Sequence, residues 1–216
     1  LIDTAGIRKK SKVTDSIEKF SIMRTLLAIE RSDVCLMMID AEEGVTDQDA
    51  KIAGEAHEAG KGVIIVVNKW DLVEKETGTL ENYKKEIYAR LKYLSYAPIL
   101  FISAKTGQRV NKLFELINSA YEQNTRRIPT ATLNQVINEA IALVQPPSDK
   151  GKRLKILYGT QCATRPPTFI IFVNDKDLFH FSYERYLVNQ LRKEFGFEGT
   201  PVRIIAREKI AKGDVD

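Results

Sequence analysis

The sequence predicts an α/β domain built on a doubly wound sheet, followed by a small α+β domain. Three observations predict it. Three short, almost wholly apolar runs alternate with helical stretches up to about residue 124. A TRRIPT string at 125–130 then breaks the pattern, and beyond it the order of elements becomes α-β-β-α-β. The composition is that of a globular chain: 216 residues, 44% hydrophobic and 29% charged, long enough for two cores.

The chain opens at Leu1-Ile2-Asp3, an apolar pair running into a polar loop as the end of a strand would, with no preceding strand. This reads as a fragment whose upstream part is missing. The strands expected next are 34–39 (VCLMMI), 63–67 (VIIVV) and 99–102 (ILFI). Near-continuous apolar strands suit a parallel sheet covered on both faces. Helices are expected over 17–31, 47–60, 80–94 and 110–121. The second has an N-cap signal, Thr46 with Asp49 three residues on, and a stop at Gly60. Alternation at this spacing argues for the doubly wound sheet.

From Leu133 the apolar residues Leu133, Val136, Ile137, Ala140, Ile141 and Val144 form one helical stripe, ended by Pro146-Pro147. Strands are expected at 154–158 and 169–173. A helix over 183–195 carries Tyr183, Leu187, Leu191 and Phe195 in steps of four. In 202–207, Val202, Ile204 and Ala206 alternate with Arg203, Ile205 and Arg207, partly the pattern of a strand with one wet face. The expected domains are 1–127 and 128–208, with a polar tail at 209–216.

Composition narrows the function. No apolar run approaches the ~18 residues of a membrane span, so no membrane span is expected. Cys35 and Cys162 lie in strand-like runs without CxxC spacing, and read as reduced thiols of a cytoplasmic protein. His57 and His180 lie too far apart in sequence to suggest a zinc site. The net charge is +4, split as +1 before Ile128 and +3 from it onward, mildly basic and no proof of nucleic-acid binding.

Three strings sit just beyond expected strand ends, where open α/β sheets bind ligands. The first is Asp3-Thr4-Ala5-Gly6. An Asp there can hold a water on Mg²⁺, and a Gly three residues later lets the backbone approach a terminal phosphate. The second is Asn68-Lys69-Trp70-Asp71. A carboxylate here can accept from the N1–H and N2–H₂ edge of guanine, whereas adenine presents an acceptor at that ring nitrogen. Sites that must satisfy a polar group discriminate by roughly 10⁴-fold. The Lys stem can lie along the base, and the Asn can tie this loop to its neighbour. The third is Ser103-Ala104-Lys105, whose backbone can donate to guanine O6. Each string alone is also a helix cap or polar turn. Their order, each after its own strand, is what makes them one signal.

Together the strings resemble the third, fourth and fifth motifs of P-loop GTPases related to translation factors. The chain as a whole resembles the C-terminal part of the Der (EngA) family, tandem-domain GTPases of bacterial ribosome assembly. NKWD with SAKTG carries the GTPase class; RPPTFIIFVND from Arg165 and YERYLVNQLRKEFGFEGTPVRI from Tyr183 carry the family. The resemblance implies an N-terminally incomplete P-loop GTPase-type domain followed by a KH-like domain. It implies GTP or GDP as ligand with Mg²⁺. Asp3 would reach Mg²⁺ through water and Gly6 would meet the γ-phosphate, with Thr4, Ala5 and Ile7 beside it. Asp71 would read guanine, buttressed by Asn68 and Lys69 and flanked by Trp70. Ala104 would donate to O6, with Ser103 and Lys105 beside it. The implied partners are the large ribosomal subunit with its rRNA, and an upstream GTPase domain packed against this chain.

Two departures from the general GTPase pattern matter. Ile7 stands where Ras-like enzymes place a water-orienting Gln, so slow hydrolysis stimulated by K⁺ is expected, with no catalytic base in this chain. No GxxxxGK[ST] occurs, although the family places one about fifty residues before DTAG. In such domains the strand leading to that loop lies between those preceding DTAG and NKxD. Its absence is expected to cost two buried sheet edges their partner, to prevent hydrolysis by this chain alone, and to weaken the first domain's folding.

Other features stay open. Arg8, Lys9, Lys10 and Lys12 are a solvated basic segment or a contact for RNA or a neighbouring domain. Lys150, Lys152, Arg153, Lys155 and Arg165 are a footprint for RNA phosphates or a wet loop. Gly196-Phe197-Glu198-Gly199 matches the KH signature GxxG formally, but it joins a helix to a strand and reads as a C-cap and turn. This separates the chain from Era, a GTPase whose KH domain keeps that clamp. Tyr183, Tyr186 and Phe195 read as core. The leading reading is a ribosome-assembly GTPase; the rival is a non-catalytic RNA- or ribosome-binding module.

Overall fold

The computed structural model describes residues 15–149 and 151–209. Two units emerge, residues 1–122 with 198–201, and residues 123–197 with 202–216. DTAG, Ile7 and the Arg8–Lys12 segment lie outside the described residues, as do Lys150 and the tail from 210.

In the first unit, β1 (Val34–Asp40), β2 (Gly62–Asn68) and β3 (Ile99–Phe101) form a parallel sheet in the order β1-β2-β3. Around it run α1 (Asp15–Arg31), α2 (Asp47–Glu58), α3 (Thr79–Arg90) and α4 (Lys112–Thr125). The VIIVV run is apolar throughout because both faces of β2 are closed. Val63, Ile65 and Val67 meet Ala53 and Ala56 of α2 and Ile87 of α3. Ile64 and Val66 meet Leu113 and Ala120 of α4. Helices on both faces are what doubly wound means, and near-continuous hydrophobicity is its signature.

One expectation is corrected here. Among the described residues the strand before NKWD is flanked on both sides: Val34–Asp40 pairs with Gly62–Asn68, and Ile65–Val67 with Ile99–Phe101. A strand buried on both faces needs two neighbours, and VCLMMI supplies the one expected to be missing. β1 therefore takes the outer position in the described sheet, and Met38 on it is half exposed.

Thr46 begins α2 as expected. Its hydroxyl accepts from Asp49 N–H at 3.1 Å and the Asp49 carboxylate accepts from Thr46 N–H at 2.9 Å, a reciprocal capping box. The helix expected over 80–94 breaks after Arg90. Leu91 has φ −111° and ψ 52°, and a short 3₁₀ turn, Lys92–Leu94, follows. Ile87, Leu91 and Leu94 are all buried, so the apolar spacing reads as helix across a break.

The second unit contains α5 (Thr130–Leu143), a hairpin of β4 (Ser148–Asp149) and β5 (Lys152–Arg153), then β6 (Ile156–Ala163), β7 (Thr168–Val173), α6 (Phe181–Phe195) and β8 (Arg203–Glu208). β6 and β7 are antiparallel; β8 returns parallel to β7 after α6, a β-α-β crossover. Leu133, Ile137 and Ala140 of α5 and Tyr183, Leu187, Leu191 and Phe195 of α6 pack on Phe169, Ile171 and Val173 of β7 and on Ile204 of β8. β6 runs five residues beyond the expected end because its polar and small residues are committed inward. The Gln161 amide accepts from Ile128 N–H at 2.7 Å and donates to Arg126 C=O at 2.8 Å.

GFEG is a cap and turn. Gly196 ends α6 at φ +87°, and Phe197 is fully buried. Gly199 belongs with the first unit, where its carbonyl accepts from Val63 N–H at 2.7 Å and its N–H donates to Tyr96 C=O at 2.8 Å. Among the described residues no helix is long and apolar enough to cross a membrane.

A candidate guanine site at the ends of β2 and β3

Parallel register brings the ends of the three strands together, and with them the loops that follow. Ile102 N–H donates to Val67 C=O, Trp70 N–H to Ile102 C=O, and Ala41 N–H to Asn68 C=O, at 2.8, 3.0 and 3.0 Å. These bonds extend the ladder by one residue and fix both loops before any side chain acts. The turn itself is sharp: Lys69 takes φ +63°, a left-handed conformation uncommon for a side-chain-bearing residue and a mark of a constrained site.

Asn68 and Ala104 join the two loops, the Ala104 N–H donating to Asn68 Oδ1 at 3.0 Å. Ser103 is fully buried and its Oγ accepts from Thr106 N–H at 3.2 Å. Its hydroxyl also bonds the Asp71 carboxylate, holding that carboxyl below the usual range, helped by the charges of Lys105 and Lys75 and opposed by partial burial. Asp71 is thus ionised and aimed. Its Oδ1 is closed off from solvent and has no hydrogen-bond partner among the described residues. A buried carboxylate oxygen without a donor is costly, and such an atom points to a ligand that supplies one.

Lys69 forms an ion pair with Asp40 at 2.5 Å and approaches Glu42 at 3.9 Å. Sequence reasoning missed Asp40; its signal was an acid ending the apolar run VCLMMI, one strand over from NKWD and in register with Asn68. Trp70, expected to flank the guanine-reading residues, turns its side chain into the core. It is 3% exposed, packed 4.4 Å from Phe101 and edge-on to Tyr83 at 5.0 Å, while the Tyr83 hydroxyl donates to Ala41 C=O. Its large apolar ring anchors the loop in the core instead. A groove of about 880 Å³, lined by Asp40, Asn68, Lys69 and residues of α1 and α2, opens beside these strand ends.

The basic residues do not gather as their sequence positions suggest. Lys152, Arg153 and Lys155 precede β6, and Arg153 bonds the Gln145 side chain; Arg165 follows the far end of β6. Eight extended residues separate them by roughly 25 Å. Among the described residues no group of three or more His, Cys, Asp or Glu could hold a metal.

Residues 127–207 match the family model described as KH-domain-like of EngA bacterial GTPase enzymes, C-terminal, and residues 19–123 match the elongation factor Tu GTP binding domain. The chain is 63% identical over 208 residues to GTPase Der of Ruminiclostridium cellulolyticum, covering 96% of this chain and 47% of that protein. It is 62% identical to GTPase Der of Alkaliphilus oremlandii, covering 98% and 48%. The chain belongs to the Der (EngA) family. It has a P-loop GTPase-like α/β fold joined to a KH-like domain, and spans about half the length of the curated relatives it matches. Among solved structures, Aquifex aeolicus Era bound to GDP and AlF₄⁻ gives a TM-score of 0.47 at 22% identity, covering 98% of this chain and 76% of that one. Era with MgGDPNP and a 16S ribosomal RNA segment gives 0.48 at 21%, with the same coverage. Those likenesses are too loose to bear on ligand or partner.

Proposed function

We propose that the chain supplies the guanine-reading side of a site that binds and hydrolyses GTP, in a cytoplasmic protein that assembles the large ribosomal subunit. The supporting observation is the closed-off, unpartnered Oδ1 of an ionised Asp71 at the edge of a parallel sheet. Two donors on one ligand edge suit the carboxylate, and guanine N1–H with N2–H₂ is such an edge. Ser103 keeps the carboxylate charged and oriented. Asn68 and Lys69 hold the loop against its neighbours through Ala104 and Asp40. Ala104 N–H, already given to Asn68, would be shared with guanine O6.

Asp3 would bind Mg²⁺ through water, and Gly6 would approach the γ-phosphate, with Thr4, Ala5 and Ile7 alongside. Mg²⁺ would supply charge neutralisation on the phosphates, and K⁺ a further stimulus where Ile7 cannot orient water. The functional division is 1–127 for nucleotide, 128–208 for the KH-like domain contacting rRNA, and 209–216 as a tail. An upstream GTPase domain would pack against this chain. The 216 residues contain no GxxxxGK[ST], so hydrolysis belongs to the longer protein, and this chain alone reads as an RNA- or ribosome-binding module.

Asp71→Asn in the full-length protein tests the reading. An amide there turns one acceptor into a donor, which guanine repels and the 2-oxo edge of xanthine accepts. GTP affinity is expected to fall at least a hundredfold, with xanthosine triphosphate now favoured. Unchanged preference for GTP over xanthosine triphosphate and ATP would refute it.

A further inference from the structure

The three-stranded sheet of the second unit has one face closed by α5 and α6 and another facing outward. Alternation assigns the outward positions, because Phe169, Ile171, Val173 and Ile204 point into the core. In register across the outward face lie Tyr158, Phe172 and Arg207, one per strand. The neighbouring row holds Ile170 beside Ile205, and Arg203 stands two residues further along β8.

The aromatic pair is flat and open. The Tyr158 and Phe172 rings stack with centroids 4.5 Å apart and planes 20° from parallel. Tyr158 is 39% exposed and Ile205 42%. Tyr158 stands on the outer strand, so its ring is the exposed end of the stack, a ledge of the size of a base. Among the described residues no Asp or Glu occupies an outward position on these strands, and Arg207 is exposed on β8 in register with Phe172.

From this placement we propose that the outward face of β6-β7-β8 binds single-stranded RNA, with an unpaired base stacked on the Tyr158–Phe172 ledge and a phosphate held by Arg207. Single-stranded nucleic acid presents π faces and regularly spaced phosphates in one ligand, matching both halves of the surface. A protein partner would need an acid opposite Arg207 and an apolar patch broader than Ile205 and the ring edges offer. In a duplex the bases are already stacked on one another and cannot reach the ledge. The proposal rests on the reading that this unit contacts RNA, and it assigns the contact to a surface separate from the GFEG turn and from the basic residues Lys152, Arg153, Lys155 and Arg165.

The test uses the full-length protein and a fluorescein-labelled oligouridylate of about twelve nucleotides, free or annealed to oligoadenylate, followed by anisotropy. The single strand is expected to bind more tightly than the duplex. Tyr158→Ala should weaken it roughly tenfold or more, and Tyr158→Phe should restore it, since the ring and not the hydroxyl stacks. Arg207→Gln, at an exposed position that no fold defect should follow, is expected to lower the slope of log K against log salt by about one phosphate's share. Wild-type-like affinity in both Tyr158→Ala and Arg207→Gln, or preference for the duplex, overturns the surface while leaving RNA binding intact. Failure of the unaltered protein to bind either RNA overturns the surface and the RNA reading together.

Discussion

Replacing Asn134 by alanine would strip two backbone groups of β6 at once. The Asn134 side chain lies in the second turn of α5 and reaches the strand: its Oδ1 accepts from Gly159 N–H and its Nδ2 donates to Gly159 C=O, both at 2.8 Å. It also donates to Thr130 C=O in its own helix at 2.7 Å. β6 is an outer strand of its sheet, so these amide bonds stand where a neighbouring strand would otherwise be. Gly159 is buried, and a methyl group there would come within 2.5 Å of Ile137 Cδ1 and 3.0 Å of Ile171 Cδ1, so the glycine sets the distance at which α5 can approach. Each group left without a partner costs about 1–3 kcal/mol, less where water can enter from the strand's open side. The loss should be about 2–4 kcal/mol. Hydrogen exchange followed by mass spectrometry on peptides spanning 156–163 measures it, with protection falling about thirtyfold to several hundredfold. A change below about 0.5 kcal/mol would show that the amide is an incidental contact and that β6 is held by β7 alone.

The Asp71–Ser103 contact predicts a pH dependence. The Asp71 carboxyl is depressed below its ordinary value of 3.8, so its ionised form contributes above that value and is lost only as pH falls through the depressed one. Guanine-nucleotide binding should therefore persist to pH 4 or below, and Ser103→Ala should move the acid limb upward; an unmoved limb would break the link. Gly199→Ala introduces a side chain at φ +74° and 2.9 Å from the Ala120 methyl, which is fixed to its helix backbone. Strain and overpacking together should destabilise the first unit by about 2–4 kcal/mol, read as a lower thermal midpoint.

Much of the fold is legible in the sequence where one force acts alone. VIIVV and VCLMMI are strands because nothing but burial on both faces suits such runs, and Thr46 with Asp49 marks a helix start because the cap is local. The reading fails where tertiary contacts override local pattern. Ile87, Leu91 and Leu94 keep helical spacing across a backbone break, since all three must reach one core. GTQCA looks like a loop, yet Gly159 and Gln161 are polar or small because α5 and the chain at Arg126–Ile128 press on them.

The site follows the same rule. NKWD and SAK are visible as strings and their side-by-side placement follows from parallel register. The roles within them are less visible: Ser103 acts through Asp71, Trp70 serves the core, and Asp40 enters from a third strand. Residue order does not fix which face of a turn a side chain takes, so the partnership of Lys69 with Asp40 arises only in the fold. The basic residues show the reverse error, nearness in sequence mistaken for nearness in space.

The return of Glu198–Pro201 to the first unit carries a practical lesson for anyone dissecting this protein. A recombinant piece stopping at Glu122 would keep all three strands of the sheet and all but the last three residues of α4, and still be deficient. The Val63 amide at the foot of the central strand and the Tyr96 carbonyl would each lose the glycine that satisfies them. Gene truncation at the apparent border should therefore give a damaged first unit, whereas grafting a short peptide equivalent to 198–201 onto it should repair the wound.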